Sequence, residues 1–215
     1  MILTTNKVFV FDLDDTLYPE YDFEQSGIDF VCDKLYLEKK LIDLILIDKK
    51  SWIQSIISNS KMNFTKDYLL SLYNNHFPKI YLYNDANIFL NLLKSKNIEM
   101  SIITDGKSIT QKNKLKALGI EKYFERIIIS EEINSEKPAE INYKMVMNIN
   151  DNKEYVYIAD NPRKDFITPN KLGWTTICLL DRGQNIHQQN FKLSKKYLPK
   201  YFITSFNEII LSNEY

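Results

Sequence analysis

The segment KVFVFDLDDTLYPE, residues 7–20, runs from an apolar stretch straight into Asp12, Asp14 and Asp15. A buried strand end carrying three carboxylates needs something to neutralise them. Other apolar runs end on chemistry too. Residues 100–104 close on Thr104-Asp105-Gly106, and residues 155–159 lead into Asp160, with Asp165 soon after. Residues 126–130 are followed, after a loop, by Lys137-Pro138. A carboxylate cluster, a hydroxyl and an ammonium suit phosphoryl transfer through an aspartyl phosphate with Mg²⁺. A hard cation with oxygen ligands neutralises the acids. One carboxylate then serves as nucleophile, and a second, two residues on, gives and takes a proton. At i, i+2 on extended backbone both side chains point the same way. Lys137, the Thr104 hydroxyl and the amides around Asp105 and Gly106 can hold phosphoryl oxygens, the amides because they enter a helix N-terminus.

These residues need a scaffold that gathers strand ends. Strand-like runs are expected at Lys7–Phe11, Met100–Thr104, Arg126–Ser130, Tyr155–Ala159, Thr175–Leu180 and Tyr201–Thr204. Helical patterns lie between them at Ala86–Ser95, Ser108–Leu118, Ala139–Asn148 and Lys164–Leu172. Gly119 and Gly173 follow two of these patterns and fit left-handed C-caps. The alternation predicts an α/β, Rossmann-like parallel sheet with helices on both faces. Ligands of such sheets bind outside the carboxyl ends of the strands. Residues 22–80 break the rhythm with apolar positions at helical spacing, far too long for a loop. They predict a small all-helical cap. The expected division is a catalytic core, residues 1–17 and 84–215, and a cap, residues 18–83. Phe30, Tyr36, Trp52 and Phe64 are read mainly as cap core, and Tyr18 and Phe23 as hinge packing that opens the cap, with Tyr18 a candidate substrate contact. Asp15 is expected to point away from Asp12 and Asp14, toward solvent or a capping role. Asn161 and Arg163, beside Asp160, are further candidate substrate contacts.

Composition removes several alternatives. The 215 residues are 44% hydrophobic, enough for one core with a modest insertion. Basic and acidic residues balance at 28 each, so bulk charge favours neither nucleic acid nor an anionic membrane. The basic segment Lys192, Lys195, Lys196 and Lys200 reads as solvated surface. No apolar run approaches a membrane span, and the start lacks the order of a secretory signal. Cys32 and Cys178 lie far apart and read as small core hydrophobes in a reducing, cytoplasmic setting. His76 and His187 are isolated in sequence, which argues against a zinc site or a histidine-based triad.

The four strand-exit segments together resemble the haloacid dehalogenase (HAD) superfamily of aspartate-nucleophile phosphotransferases. VFDLDDTLY is similar to its first motif, SIITDG to its second, Lys137 in SEKPAE to its third, and YIADNPRKDF to its fourth. The resemblance covers nearly the whole chain and implies Asp12 as nucleophile and Asp14 as acid/base. It also implies a Mg²⁺ site of the Asp12 carboxylate, the Asp14 main-chain oxygen and Asp160, with Asp165 behind. It places the helical insert in the class with a cap after motif one. One departure is Ala159, where Gly commonly precedes the motif-four Asp.

The expected activity is Mg²⁺-dependent hydrolysis of a small phosphorylated metabolite, a sugar phosphate or a nucleoside monophosphate. A phosphomutase of the same superfamily is the alternative. A haloacid dehalogenase fits less well, since it has no use for Asp14, and a non-catalytic binding protein would require a lost catalytic residue. Specificity lives in the cap and loops, and nothing in the sequence separates a monomer from a homodimer.

Overall fold

A computed structural model describes residues 1–147 and 153–212. The strands are β1 (Ile2–Thr4), β2 (Val8–Phe11), β3 (Met100–Thr104), β4 (Arg126–Ile129), β5 (Tyr155–Ala159), β6 (Thr175–Leu179), β7 (Tyr201–Ile203) and β8 (Ile210–Ser212). The helices are α1 (Glu20–Lys34), α2 (Lys39–Ile47), α3 (Trp52–Asn59), α4 (Lys66–Asn75), α5 (Asn84–Ser95), α6 (Ser108–Ala117), α7 (Ser130–Ile133), α8 (Glu140–Lys144) and α9 (Ile167–Lys171).

All four residues of β2 are buried, so this strand must be covered on both faces. It lies inside a six-stranded parallel sheet of order β4-β3-β2-β5-β6-β7. Its alternate side chains feed two cores. Phe9 and Phe11 pack with Phe89, Leu90 and Leu93 of α5, Leu115 of α6 and Phe206. Val8 and Val10 pack with Tyr143 of α8, Phe166 and Trp174 on the other face. Each buried side chain of this size contributes about 1.5–3 kcal/mol, which fixes the strand's register from both sides. Gly119 and Gly173 have φ of +71° and +79°, as the expected C-caps require.

Between β2 and α5 the chain forms α1–α4, which bury an apolar cluster of their own: Ile28, Val31, Cys32, Leu41, Ile45, Trp52, Ile56 and Leu69. Tyr36 stands fully in solvent, and Phe30 is stacked on His76. Among the described residues no helix is long and apolar enough to cross a membrane. Cys32 and Cys178 are buried and unbridged.

The element boundaries differ from expectation in three places. The apolar start is divided: Ile2–Thr4 pairs with Ile210–Ser212 in a separate two-stranded sheet, and only Val8–Phe11 enters the main one. The helix expected from Lys164 begins at Ile167. Asn161 instead accepts main-chain bonds from Lys164 and Asp165 at 3.3 and 3.0 Å, closing a turn before the helix. The helix expected over Ala139–Asn148 is the shorter α8, and Asn148 lies outside the described residues.

One polar cluster ties the insert's exit to the core. Asp85, at the start of α5, accepts both Arg182 Nη atoms at 2.8 and 2.6 Å, Ser205 Oγ at 2.7 Å and Phe206 N at 2.9 Å. Burial alone would raise its carboxyl, but the bonds from Arg182 and Ser205 outweigh it and hold the pKa at about 2. A depressed folded pKa stabilises above the unfolded value of 3.8 and is lost as pH falls toward 2. Asp85→Asn should therefore cost about 2 kcal/mol at neutral pH. The gap to the parent in guanidinium unfolding should close as the pH approaches 2. A gap that is independent of pH would refute this assignment.

Candidate active site

Strand order sets where the site lies. From β2 the chain builds outward through β3 and β4, then returns to β5 on the other side of β2 and continues to β6 and β7. The order therefore reverses at β2/β5, and a crevice opens beyond the carboxyl ends of these two strands. Phe11 pairs with Ile158, and Asp12 N donates to Ile158 O at 3.0 Å. Asp12 and Asp160 thus leave neighbouring strands at the same level. A hollow of about 600 Å³ lined by Lys7, Glu99 and Arg126 sits at the opposite, amino-terminal edge, away from every one of these acids.

One oxygen each of Asp12, Asp160 and Asp165 lies within 4.8 Å of the others. Lys137 Nζ enters this group, 2.7 Å from Asp12 Oδ1 and 2.8 Å from Asp165 Oδ1, with its side chain wholly buried. Asp165 is occupied: besides Lys137 it accepts Tyr157 OH at 3.2 Å and Asn161 N at 3.0 Å. It orients Lys137 and closes the 160–165 turn. Asp12 Oδ2 and Asp160 Oδ1, in contrast, have no hydrogen-bond partner among the described residues. Burial, with the neighbouring Asp165, lifts the Asp12 carboxyl to about 6 even though Lys137 and Lys164 pull it down. Burial and the charges of Asp12 and Asp165 push Asp160 well above the carboxylate range. Two spare hard oxygens in an under-neutralised acidic cluster fit a divalent cation such as Mg²⁺.

Asp14 is held separately. Its Oδ1 accepts Lys114 Nζ at 2.6 Å and the Tyr18 hydroxyl, and its Oδ2 accepts Gln111 Nε2 at 2.9 Å. Burial would raise Asp14, but the Lys114 charge and these three hydrogen bonds prevail and lower its pKa. Gln111 Nε2 also donates to Thr104 Oγ1 and to Asp105 O. The Thr104 hydroxyl hydrogen therefore remains available to a ligand oxygen.

Asp15 does not turn to solvent. It is 3% exposed with φ 55°, so strand alternation has ended before it. Its carboxylate accepts Glu20 N, at the first turn of α1, and Ile186 N, both at 2.9 Å. It joins the entry to α1 with the loop after β6, and it lines the same cavity as Asp12 and Asp14 rather than pointing away from them.

Asp12, Asp14, Asp15, Glu20, Asp105, Asp160, Asn161, Lys164 and His187 enclose a cavity of about 90 Å³. Asn161 is here as expected, but Arg163 is exposed and does not line it; Lys164 does, with its ammonium 2.9 Å from Asp105 Oδ2. The helix expected from Lys164 begins only at Ile167, and the 161–165 turn carries Lys164 to the cavity while Arg163 faces solvent. Asp105 also accepts Lys137 N at 3.0 Å, so its side chain is a brace. The Gly106 amide, expected to receive phosphate, already donates to Ser130 Oγ at 2.9 Å, because α7 follows β4 closely.

Several members of this site escape a sequence reading. His187, isolated in sequence, is brought in by the loop after β6, which also sends Asn185 Nδ2 to Asp160 Oδ2 at 2.9 Å. Glu20 is lifted by burial, then by Asp14, to about 8. Lys114 and Gln111 lie on a largely polar helix, so no apolar pattern marks their face as buried. They lie on the buried face of α6 with Thr110 and Leu115.

A curated glyceraldehyde 3-phosphate phosphatase of Methanocaldococcus jannaschii is 28% identical over 95% of each chain. One of the same name from Methanopyrus kandleri is 25% identical over 80% of this chain and 82% of its own. The magnesium-bound HAD-hydrolase YfnB of Bacillus subtilis superposes with a TM-score of 0.63 at 18% identity, covering 94% of this chain and 96% of that one. At that identity the likeness speaks for the fold alone. The family model for haloacid dehalogenase-like hydrolases matches residues 9–179, from within β2 to the end of β6. The chain belongs to the haloacid dehalogenase-like hydrolases.

Proposed function

We propose that this hydrolase is a Mg²⁺-dependent phosphatase that cleaves a small sugar phosphate through an aspartyl phosphate on Asp12. The carrying observation is the separation of two carboxylates in one cavity. Asp12 sits against Lys137, and Asp14 sits apart with partners of its own. Asp12 attacks phosphorus and displaces the alcohol. Lys137 and the Thr104 hydroxyl hold phosphoryl oxygens. Asp14 gives a proton to the departing oxygen, and in the second half takes one from the water that hydrolyses the acyl phosphate. The incoming phosphate's charge opposes Lys114 and favours the protonated Asp14 that the first half requires.

The Asp12 carboxylate, the Asp14 main-chain oxygen and Asp160 would hold Mg²⁺, with Asn185 steadying Asp160. A bound Mg²⁺ supplies the charge neutralisation that lets an anionic ester approach these acids. The α1–α4 insert, over residues 18–83, acts as the cap in this reading.

The cavity of about 90 Å³ supports a short ester over a nucleoside monophosphate. The names of the curated relatives support the same class. Two free buried cysteines accord with a reducing, cytoplasmic setting. Phosphate release from a panel of triose, longer sugar and nucleoside phosphates, with Mg²⁺ and with a chelator, tests the proposal. Three-carbon esters should lead, and chelation should abolish release. Chloride release from a 2-haloacid without metal, or isomerisation of a sugar phosphate faster than phosphate release, would replace it.

A further inference from the structure

Helix α6 touches both the proposed acid/base and the seat of the helical insert. Lys114 Nζ lies 2.6 Å from Asp14 Oδ1 and Gln111 Nε2 lies 2.9 Å from Asp14 Oδ2. Lys114 is 3% exposed, and its ammonium sits 4.2 Å from the ring centre of Phe23 in α1. Beside them on the same helix, Thr110 Oγ1 donates to Asn74 O at 2.9 Å, and Asn113 Nδ2 to His76 O at 3.1 Å. These carbonyls end α4. Four residues within a turn and a half thus grip the insert and the Asp14 carboxylate together.

A lysine buried this deeply is retained where its charge meets a partner. Between them, Lys114, Gln111 and Tyr18 take up both oxygens of Asp14 and leave its carboxylate one orientation. None of the three reaches Asp12, Asp160 or Asp165 among the described residues. Gln111 also donates to Thr104 Oγ1, whereas Lys114 bonds to Asp14 alone, so the effect of Lys114 on the reaction passes through Asp14.

Resting on the phosphatase reading, we infer that Lys114, assisted by Gln111, is the positioning residue that aims Asp14 at the leaving-group oxygen, on a helix that also seats the cap. The consequence is specific to proton delivery. An alkoxide leaves poorly without a proton, whereas p-nitrophenolate leaves without one. kcat/KM covers the steps as far as the aspartyl phosphate, so it isolates that difference.

The test compares kcat/KM of the parent and Lys114→Met on the best alkyl ester of the panel above and on p-nitrophenyl phosphate. Met keeps an unbranched apolar side chain of similar length and removes the ammonium. The alkyl ester should lose about 100-fold and the aryl ester less than about 3-fold, in line with the size of general-acid effects. An equal loss on both esters, or none on either, overturns the assignment. If Lys114→Met melts early because Asp14 is left unpaired, the Asp14→Asn background removes that charge. There, adding Lys114→Met should change the aryl rate less than about 2-fold, because a residue acting only through Asp14 has nothing left to act on. A further 10-fold loss, of the order expected for independent sites, would overturn it. No turnover of either ester by the parent defeats the phosphatase reading and this inference together. Parent turnover with equal losses defeats this inference alone.

Discussion

Asp12→Asn should lower phosphate release by at least about 10⁴-fold while leaving the protein folded, because an amide cannot accept the phosphoryl group. The stability side separates this loss from damage. Asp12 is buried with Asp160 and Asp165, and its carboxyl is raised to about 6 by that burial and by Asp165. A raised carboxyl marks a group whose ionised form the fold disfavours. Removing the charge relieves it, and Lys137 keeps its bond to Asp165 at 2.8 Å. Without added Mg²⁺ the variant should melt at or above the parent temperature. A variant that is inactive and melts lower would point to lost packing and leave the nucleophile unidentified.

Lys137→Met should harm both stability and activity. Its ammonium is the buried cation shared by Asp12 and Asp165, and the charges of these acids and Asp105 raise it well above the usual lysine range despite burial. Removing one partner of a buried ion pair costs about 3–5 kcal/mol. For a chain of this size that is a fall of about 10 °C in melting temperature. Activity should drop by about 10³-fold, the scale of losing a preorganised donor at a developing anion. Lys137→Met/Asp165→Asn distinguishes the two effects, since it removes the stranded charge without restoring the cation. It should recover most of the stability and none of the activity. Recovery of activity would mean that Lys137 is only a counter-ion.

Much of this was legible in the chain because both signals are local. Val8–Phe11, Met100–Thr104 and Tyr155–Ala159 are short apolar runs, and each meets a polar residue at its exit. Parallel strands with ligands at their carboxyl ends then gather Asp12, Thr104 and Asp160 without further information. What was not legible depends on tertiary contact. β1 and β8 are three residues each and pair across nearly the whole chain, so neither carries a periodic pattern. Asp15 follows the end of β2, where the rule of alternate faces no longer holds, and a positive φ turns it inward. Lys164 lines the cavity in place of Arg163 because the helix begins at Ile167 rather than Lys164 and the turn before it aims Lys164 inward. His187 and Asn185 come from a loop without regular structure, whose path sequence spacing does not encode.

In the proposed mechanism phosphorus passes covalently from the ester to Asp12 before water receives it. The parent enzyme, acid-quenched during turnover of a three-carbon phosphate ester with Mg²⁺ and digested, should carry the mass of one phosphoryl group on the peptide holding Asp12. The adduct should be missing from Asp12→Asn. A phosphoryl group on any other residue, or an Asp12→Asn enzyme that releases phosphate at the parent rate, would contradict the account.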